Sequence, residues 1–263
     1  MRQNNLLTTM SDPTFFEFCG VSFAYSRSTE MLSNFNWRIP EGSFYCIVGR
    51  SGCGKTTLLR LAAGLILPTQ GEIKIEGKLV EGPSQNVGFV FQNPALLEWL
   101  PVIDNVLLSV SLRRVVQAED KRNAFELLEL IGIADLAKRY PRQLSGGQQS
   151  RVALARGLLP SPPALLMDEP FAALDAITRE GLQDDLRRLV SLRKTTVLFV
   201  THDIAESVYL GDQVVVMEKG HISHTERIDM EKTHNKNFRY KSDFSTYCQN
   251  IYESMSHKKS MAM

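Results

Sequence analysis

A glycine-rich stretch between an apolar run and a helix-like segment constrains the fold of this chain more than any other feature. Residues 49–57 read GRSGCGKTT and match the pattern GxxxxGK[ST]; apolar residues 44–48 precede them, and residues 55–65 have a helical composition. In that context, loop N–H groups and the helix N-terminus bind phosphate oxygens. A chance glycine-rich turn is the alternative, and the flanks disfavour it. The sequence therefore predicts a nucleotide site formed by Gly49, Arg50, Ser51, Gly52, Cys53, Gly54, Lys55, Thr56 and Thr57.

Three side chains of this loop have distinct predicted tasks. Lys55 supplies a positive charge for the β- and γ-phosphates. The Thr56 hydroxyl is a ligand for Mg²⁺, and Thr57 reaches an oxygen of the α-phosphate. The predicted ligands are ATP and Mg²⁺.

A second apolar run delivers two carboxylates. Residues 165–169 read LLMDE, so Asp168 and Glu169 follow a predicted buried strand. Ligands of open α/β sheets bind at the carboxyl ends of the strands. We expect Asp168 to hold Mg²⁺ and Glu169 to polarise a water for attack on the γ-phosphorus. Two solvated carboxylates after a strand are the alternative.

The order of predicted strands and helices indicates an α/β fold. Residues 15–44 alternate in short pieces typical of an antiparallel sheet, whereas apolar runs at 44–48, 87–91, 164–167, 197–200 and 214–217 suit buried parallel strands. A region of helical periodicity at about 94–160 interrupts this alternation as an insert. We therefore predict an N-terminal extension at 1–13, one ATP-binding domain at 14–225 and a C-terminal appendage at 226–263.

Composition restricts the class of protein. The chain has 30 Lys and Arg against 29 Asp and Glu, a balance that argues against binding of nucleic acid. It contains no apolar run of the roughly 18 residues that span a bilayer. The four cysteines form no CxxC pair, which favours a reducing cytoplasm. Any association with a membrane is expected to come through a partner.

The segment that narrows the family lies 24 residues before Asp168. Residues 144–149 read LSGGQQ and open a predicted helix, so Ser145 can cap it while Gly146 and Gly147 expose N–H groups. An ordinary capped helix start is the alternative. A second phosphate-binding tip is redundant within one chain and useful if it covers the nucleotide of another copy. Here the sequence resembles the ATP-binding-cassette (ABC) ATPases, whose signature is LSGGQ.

The resemblance covers about residues 14–225 and implies a P-loop NTPase (RecA-like) core that works as a homodimer. It places Ser145, Gly146, Gly147 and Gln148 against the partner's ATP. It further implies that four other residues serve the site: Tyr25 stacks on adenine, Gln92 senses Mg²⁺ and the attacking water, Asp175 lies in the loop that crosses the dimer seam, and His202 contacts the γ-phosphate. Read singly, Tyr25 would be a core or edge aromatic, Gln92 a polar strand end and His202 a structural or exposed histidine.

Residues 93–106 resemble the importer pattern that follows this glutamine, where a permease docks a short helix. Leu96, Leu97 and Trp99 fit a docking groove, or alternatively pack the helical insert. The LLEW letters and the tail 244–253 resemble the nitrate/sulfonate/taurine/bicarbonate branch, which includes importers of pyrimidine precursors. The resemblance implies that this chain drives solute import and lies at the cytoplasmic face of the membrane. Its partners would be permease subunits and, indirectly, a solute-binding protein.

Three other functions share part of this pattern. A non-transport ABC ATPase of repair or translation would bring a long coiled coil or two cassettes, and the sequence has neither. A P-loop kinase would share Lys55 without the LSGGQ segment. A non-catalytic interaction subunit would be expected to lack Glu169 or His202.

Overall fold

The computed structural model describes residues 13–26, 29–229 and 236–256. The predicted extension at 1–13 lies outside these residues except for Pro13. Four strands form an antiparallel sheet in the order β2-β1-β4-β5. They are β1 (Thr14–Ser26), β2 (Thr29–Pro40), β4 (Gln70–Ile75) and β5 (Lys78–Leu79).

The first two strands are longer than the short pieces that the sequence predicts. β1 and β2 pair along their whole length, but their register shifts at several points, including the step between Phe18 and Val21. Gly20 lies in this step with a φ of +59°, a left-handed conformation that glycine adopts without steric cost. The breaks in alternation are therefore bulges inside continuous strands, and the prediction of short separate strands is wrong.

Six strands form the second sheet in the order β10-β9-β3-β8-β7-β6, with parallel pairing from β9 to β6 and an antiparallel β10 at one edge. Alternate residues of the central strand face opposite layers: Cys46 and Val48 join the core under most of the helices, whereas Tyr45 and Ile47 join the core that the antiparallel sheet shares with the first helix. Burial on both faces explains the uninterrupted apolar runs. The strands are β3 (Phe44–Gly49), β6 (Val87–Val90), β7 (Ala164–Asp168), β8 (Thr196–Val200), β9 (Gln213–Glu218) and β10 (His221–Arg227).

The described residues include seven α-helices. α1 (Lys55–Ala62) follows β3 and ends three residues earlier than predicted, before Gly64, whose φ is +69°. Between β6 and β7 the chain forms α2 (Val102–Ser111), α3 (Ala118–Leu130), two short 3₁₀ turns (Ala134–Leu136 and Pro141–Gln143) and α4 (Gly146–Leu158). α5 (Ala176–Arg193) and α6 (Ile204–Leu210) flank β8 along the chain. The predicted α/β class, with an antiparallel sheet and inserted helices, is confirmed.

The end of the described chain packs back on the parallel-sheet layer. A 3₁₀ helix (Lys236–Tyr240) and α7 (Ser242–Ser256) follow β10, which itself runs two residues past the predicted boundary at 225. Phe238 lies between the rings of Tyr209 and Phe244, and Ile251 is fully buried. In the part of the chain that the structure describes, no helix is both long and apolar enough to cross a membrane.

Candidate functional site

The phosphate loop connects the end of β3 to the start of α1. Gly52 and Gly54 have φ values of +77° and +106°, which only glycine adopts readily. A Cβ at Gly49 would lie 2.3 Å from the carbonyl oxygen of Met217, so this position has no room for a side chain. The backbone can therefore form the tight curve that directs its N–H groups inward.

Lys55 is buried at the centre of this loop. Its Nζ donates hydrogen bonds to the carbonyl oxygens of Gly49 at 2.7 Å and Arg50 at 3.1 Å. No carboxylate among the described residues forms an ion pair with it. A buried ammonium with neutral partners retains an uncompensated positive charge, so the loop fits a strongly anionic group such as a triphosphate.

Asp168 ends β7 next to this loop, where the Thr56 hydroxyl hydrogen-bonds to it. Burial raises the pKa of the Asp168 carboxyl, and the Thr56 bond partly opposes that rise. A cation would stabilise the ionised form. The described residues contain no group of three His, Cys, Asp or Glu side chains that could hold a metal ion by themselves. The Thr56 hydroxyl and the Asp168 carboxylate are oxygen ligands, and this pair suits Mg²⁺, which keeps water and phosphate ligands beside one or two protein oxygens.

Glu169 is held by residues from the two neighbouring strands. Gln92 lies just after β6 and His202 just after β8, the strands on either side of β7. Glu169 Oε2 accepts a hydrogen bond from Gln92 Nε2 at 3.3 Å and lies 3.2 Å from His202 Nδ1. The structure thus brings together the three predicted catalytic residues at the carboxyl edge of the sheet. Gln92 precedes Glu169 by 77 residues in the sequence, and His202 follows it by 33.

Tyr25 stands beside the first turns of α1. Its hydroxyl lies 3.3 Å from Thr57 Oγ1 and 3.4 Å from Arg60 Nη1, while its ring packs edge-on against Phe23 at 4.9 Å. The residue is 55% exposed. An aromatic face is therefore available next to the phosphate loop.

The Ser145 tip is well ordered by its own hydrogen bonds. Ser145 Oγ accepts from the Gln148 N–H at 3.3 Å, and the Gln148 side chain accepts from the Ser145 N–H at 2.9 Å, a capping box at the start of α4. Asp175 caps α5 by accepting a hydrogen bond from the Thr178 N–H at 3.0 Å. A Cβ at Gly147 would lie 3.2 Å from the carbonyl oxygen of Ala173, so the two helix starts approach closely.

These two helix starts share a depression of about 510 Å³ that contains no residue of the phosphate loop. The structure therefore brings Ser145, Gly146, Gly147 and Gln148 together with Asp175, and separates them from Lys55. Sequence reasoning missed Arg151, which lines the same depression and donates to Thr178 Oγ1 at 3.0 Å and to the Ile131 carbonyl at 3.2 Å. The sequence signal that could have indicated Arg151 was its position about two turns into α4, the helix that Ser145 caps.

Comparison with known proteins identifies the family of this chain. The sequence profile of the ABC transporter family matches residues 32–172. An aliphatic sulfonates import ATP-binding protein, SsuB of Bacillus cereus, is 43% identical over 202 residues, 75% of this chain and 79% of that protein. A bicarbonate transport ATP-binding protein, CmpD of Synechocystis, is 42% identical over 192 residues, 72% of this chain and 68% of that protein.

A solved structure has the same fold. It is the ATP-binding cassette MJ0796, a dimer in a post-hydrolysis state bound to ADP and phosphate, and it superposes with a TM-score of 0.75 at 32% identity over 82% of this chain and 99% of that one. The family profile, the relatives and the solved cassette all identify the same class of protein. The chain belongs to the ABC transporter family of ATP-binding proteins.

Proposed function

We propose that this chain is the ATP-hydrolysing subunit of an ABC importer and that it works as a homodimer. The convergence of Gln92, Glu169 and His202 beside Lys55 and Asp168 carries this proposal. A subunit that merely bound nucleotide would not need a carboxylate held at the edge of the sheet by groups from two neighbouring strands.

Each group has a task in hydrolysis. Lys55 and the loop N–H groups bind the phosphates, and Thr56 and Asp168 would hold Mg²⁺, which when bound neutralises charge on the phosphate oxygens. Glu169 accepts a hydrogen bond from a water and orients it in line with the bond between the γ-phosphorus and the bridging oxygen. Gln92 and His202 keep the Glu169 carboxylate in place, with His202 available to a γ-phosphate oxygen.

The separation of the Ser145 tip from the phosphate loop favours a site shared between two copies. The exposed helix start presents N–H groups and a positive dipole end to solvent, which suits a phosphate group of a second chain. The solved cassette MJ0796 is dimeric. We propose that Ser145 and Gly147 cover the ATP bound by the partner and that hydrolysis reopens the pair.

Transport is proposed from the relatives and from one exposed surface. Proteins named for import of sulfonates and transport of bicarbonate share over 40% of the aligned residues with this chain. Trp99 is 71% exposed in the segment before α2, whereas Leu96 packs against the core. We therefore propose permease docking around Trp99 at the cytoplasmic face of the membrane, with a small solute delivered by a binding protein as the cargo.

Substitution of Glu169 by Gln tests the catalytic assignment. The amide retains the size of the side chain but cannot polarise water, so we expect hydrolysis to fall by about two orders of magnitude or more. ATP binding should persist, and size-exclusion chromatography with ATP and Mg²⁺ should show a stable dimer. Glu180→Gln, on an exposed carboxylate of α5, is the matched control. Normal turnover by Glu169→Gln, or a monomer under these conditions, would contradict the proposal.

A further inference from the structure

A series of buried and half-buried hydrogen bonds connects the C-terminal segment to the loop that carries His202. Arg239 Nη2 donates to Gln183 Oε1, and Gln183 Nε2 donates to Glu206 Oε1 at 2.7 Å. The Thr201 hydroxyl donates to Glu206 Oε2 and accepts from the Asp203 N–H at 3.0 Å. Gln183 is 1% exposed and Glu206 is 5% exposed.

The charges at the two ends of Gln183 determine its orientation. The guanidinium of Arg239 has only donors, so the amide oxygen must face it, and the amide nitrogen then faces the Glu206 carboxylate. Burial raises the pKa of Glu206, while its hydrogen bonds from Thr201 and Gln183 act in the opposite direction. Loss of either donor would leave a buried carboxylate oxygen without a partner, which is costly.

At the end formed by Glu206 and Thr201, this series of hydrogen bonds holds the backbone on both sides of His202. Thr201 precedes the histidine and its N–H donates to the Ile47 carbonyl at 3.2 Å, while Asp203 follows the histidine and caps α6 through the Glu206 N–H at 3.1 Å. Glu206 is therefore bonded to the residue before His202 by its side chain and to the residue after it by its backbone. His202 in turn lies against Glu169.

The other end of the series, Arg239, belongs to the segment after β10. The Arg239 guanidinium lies over the Tyr209 ring at 3.7 Å from its centre, and the adjacent Phe238 packs on the same ring. Thr201, Glu206 and Arg239 all lie beyond residues 32–172, which the family profile matches.

We propose that Thr201, Glu206 and Gln183 are positioning residues for His202, and that Arg239 makes the position of the His202 loop depend on the C-terminal segment. This inference depends on the role proposed above for His202. When the segment is docked, the Arg239 bond fixes the amide of Gln183, the amide fixes the Glu206 carboxylate, and that carboxylate fixes Thr201. When Arg239 is withdrawn, the amide can rotate and the loop loses its rigid support.

A pair of substitutions at Thr201 tests the hydrogen bond between Thr201 and Glu206. Thr201→Val keeps the shape but removes the hydroxyl, and Thr201→Ser keeps the hydroxyl. We expect Thr201→Val to lower kcat for ATP about tenfold or more with KM within about threefold, because nucleotide binding by Lys55 is untouched. Thr201→Ser should restore kcat to within about threefold of the wild type.

The same pair in a His202→Ala background separates positioning from general loss of stability. If Thr201 acts through His202, Thr201→Val should reduce the residual kcat of His202→Ala by less than about twofold. A full additional tenfold loss, or an unchanged kcat in Thr201→Val itself, would overturn the inference. Absence of ATP hydrolysis by the wild type would instead overturn the proposed function.

Arg239→Met tests the link to the C-terminal segment and leaves Gln183, Glu206 and Thr201 themselves unsubstituted. Methionine keeps an apolar stem over Tyr209 but has no donor for Gln183. We expect kcat to fall about threefold or more with KM unchanged, and the loss should vanish in the His202→Ala background. Lys241→Met, an exposed cation of the same segment, is the control and should behave as wild type. Wild-type kcat in Arg239→Met would overturn the coupling.

Discussion

Single residues at the carboxyl edge of the parallel sheet adopt conformations that serve the site. Glu169 has a φ of +47°, a left-handed conformation that costs a non-glycine residue about 1–2 kcal/mol. Its N–H donates to the Val200 carbonyl at 2.9 Å, which anchors this turn to β8. The turn separates the directions of two consecutive carboxylates, so that Asp168 meets Thr56 while Glu169 meets Gln92 and His202.

Tyr25 is the residue whose predicted contact with the base is simplest to test. Tyr25→Ala removes the ring beside α1, and loss of one base-stacking contact of about 1–3 kcal/mol corresponds to an increase in the Kd for ATP of about 5- to 150-fold. Tyr25→Phe keeps the ring and loses the hydroxyl bonds to Thr57 and Arg60, so its Kd should stay within about threefold of the wild type. Calorimetric titration with ATP measures both values. Equal affinities of the Ala and Phe variants would remove Tyr25 from the base site.

At the scale of elements, the segment between β6 and α2 is fixed by one buried amide. The Asn105 side chain accepts from the Leu97 N–H at 2.8 Å and donates to the carbonyls of Leu97 at 3.1 Å and Leu100 at 2.9 Å. Asn105 is fully buried, so its hydrogen bonds tie the loop before α2 to the start of that helix. Trp99 therefore projects from a loop whose backbone is hydrogen-bonded to Asn105 on both sides of the tryptophan.

The exposure of Trp99 on this hydrogen-bonded loop supports a prediction about permease docking. Trp99→Ala should reduce the fraction of tagged chain recovered with washed membranes of its own cells by about tenfold, since a large exposed aromatic is typical of a binding hot spot. ATP hydrolysis by the isolated chain should be unchanged, because Trp99 is 71% exposed and lines neither the pocket at the phosphate loop nor the depression at the Ser145 tip. Val115→Ala, an exposed apolar residue elsewhere in the insert, is the control. Undiminished membrane recovery of Trp99→Ala would place the docking surface elsewhere.

At the scale of the whole molecule, the phosphate loop and the Ser145 tip, which we propose are the two halves of an ATP site, lie on separate surfaces. The phosphate loop lies between β3 and α1, and the Ser145 tip opens into a depression formed with α5. The described residues of one chain therefore supply both halves without joining them. Two chains related by a twofold axis would complete two sites at once.

Mixing two inactive variants tests this arrangement directly. Lys55→Ala disables the phosphate loop and Ser145→Arg blocks the tip, so each variant alone should hydrolyse ATP at under about 1% of the wild-type rate. In a mixed dimer, the intact loop of one chain faces the intact tip of the other, which rebuilds one site. Mixed samples should therefore recover a substantial part of the activity, measured as phosphate release after co-purification with two tags. Failure of the mixture to exceed its separate components would contradict a shared site.

Much of the parallel-sheet layer could be predicted because its signals are local. The apolar run before Gly49 and the glycines after it determine strand, loop and helix over a few residues, and the structure agrees within three residues at the end of α1. Local reasoning failed for β1 and β2, where bulges such as the one at Gly20 interrupt the alternation without ending the strands. It also left open which apolar residues before α2 were exposed, a choice that depends on packing against the core.

The chain's own letters determined the phosphate loop, the paired carboxylates after β7 and the capped tip at Ser145, because each is a short segment whose backbone geometry follows from its residue types. The tertiary structure decided which distant groups meet. Gln92 and His202 reach Glu169 because β6 and β8 flank β7 in the sheet, and Arg239 reaches Gln183 because the C-terminal segment folds back on α5 and α6. Strand order and the docking of that segment depend on burial across the whole molecule, which no local pattern records.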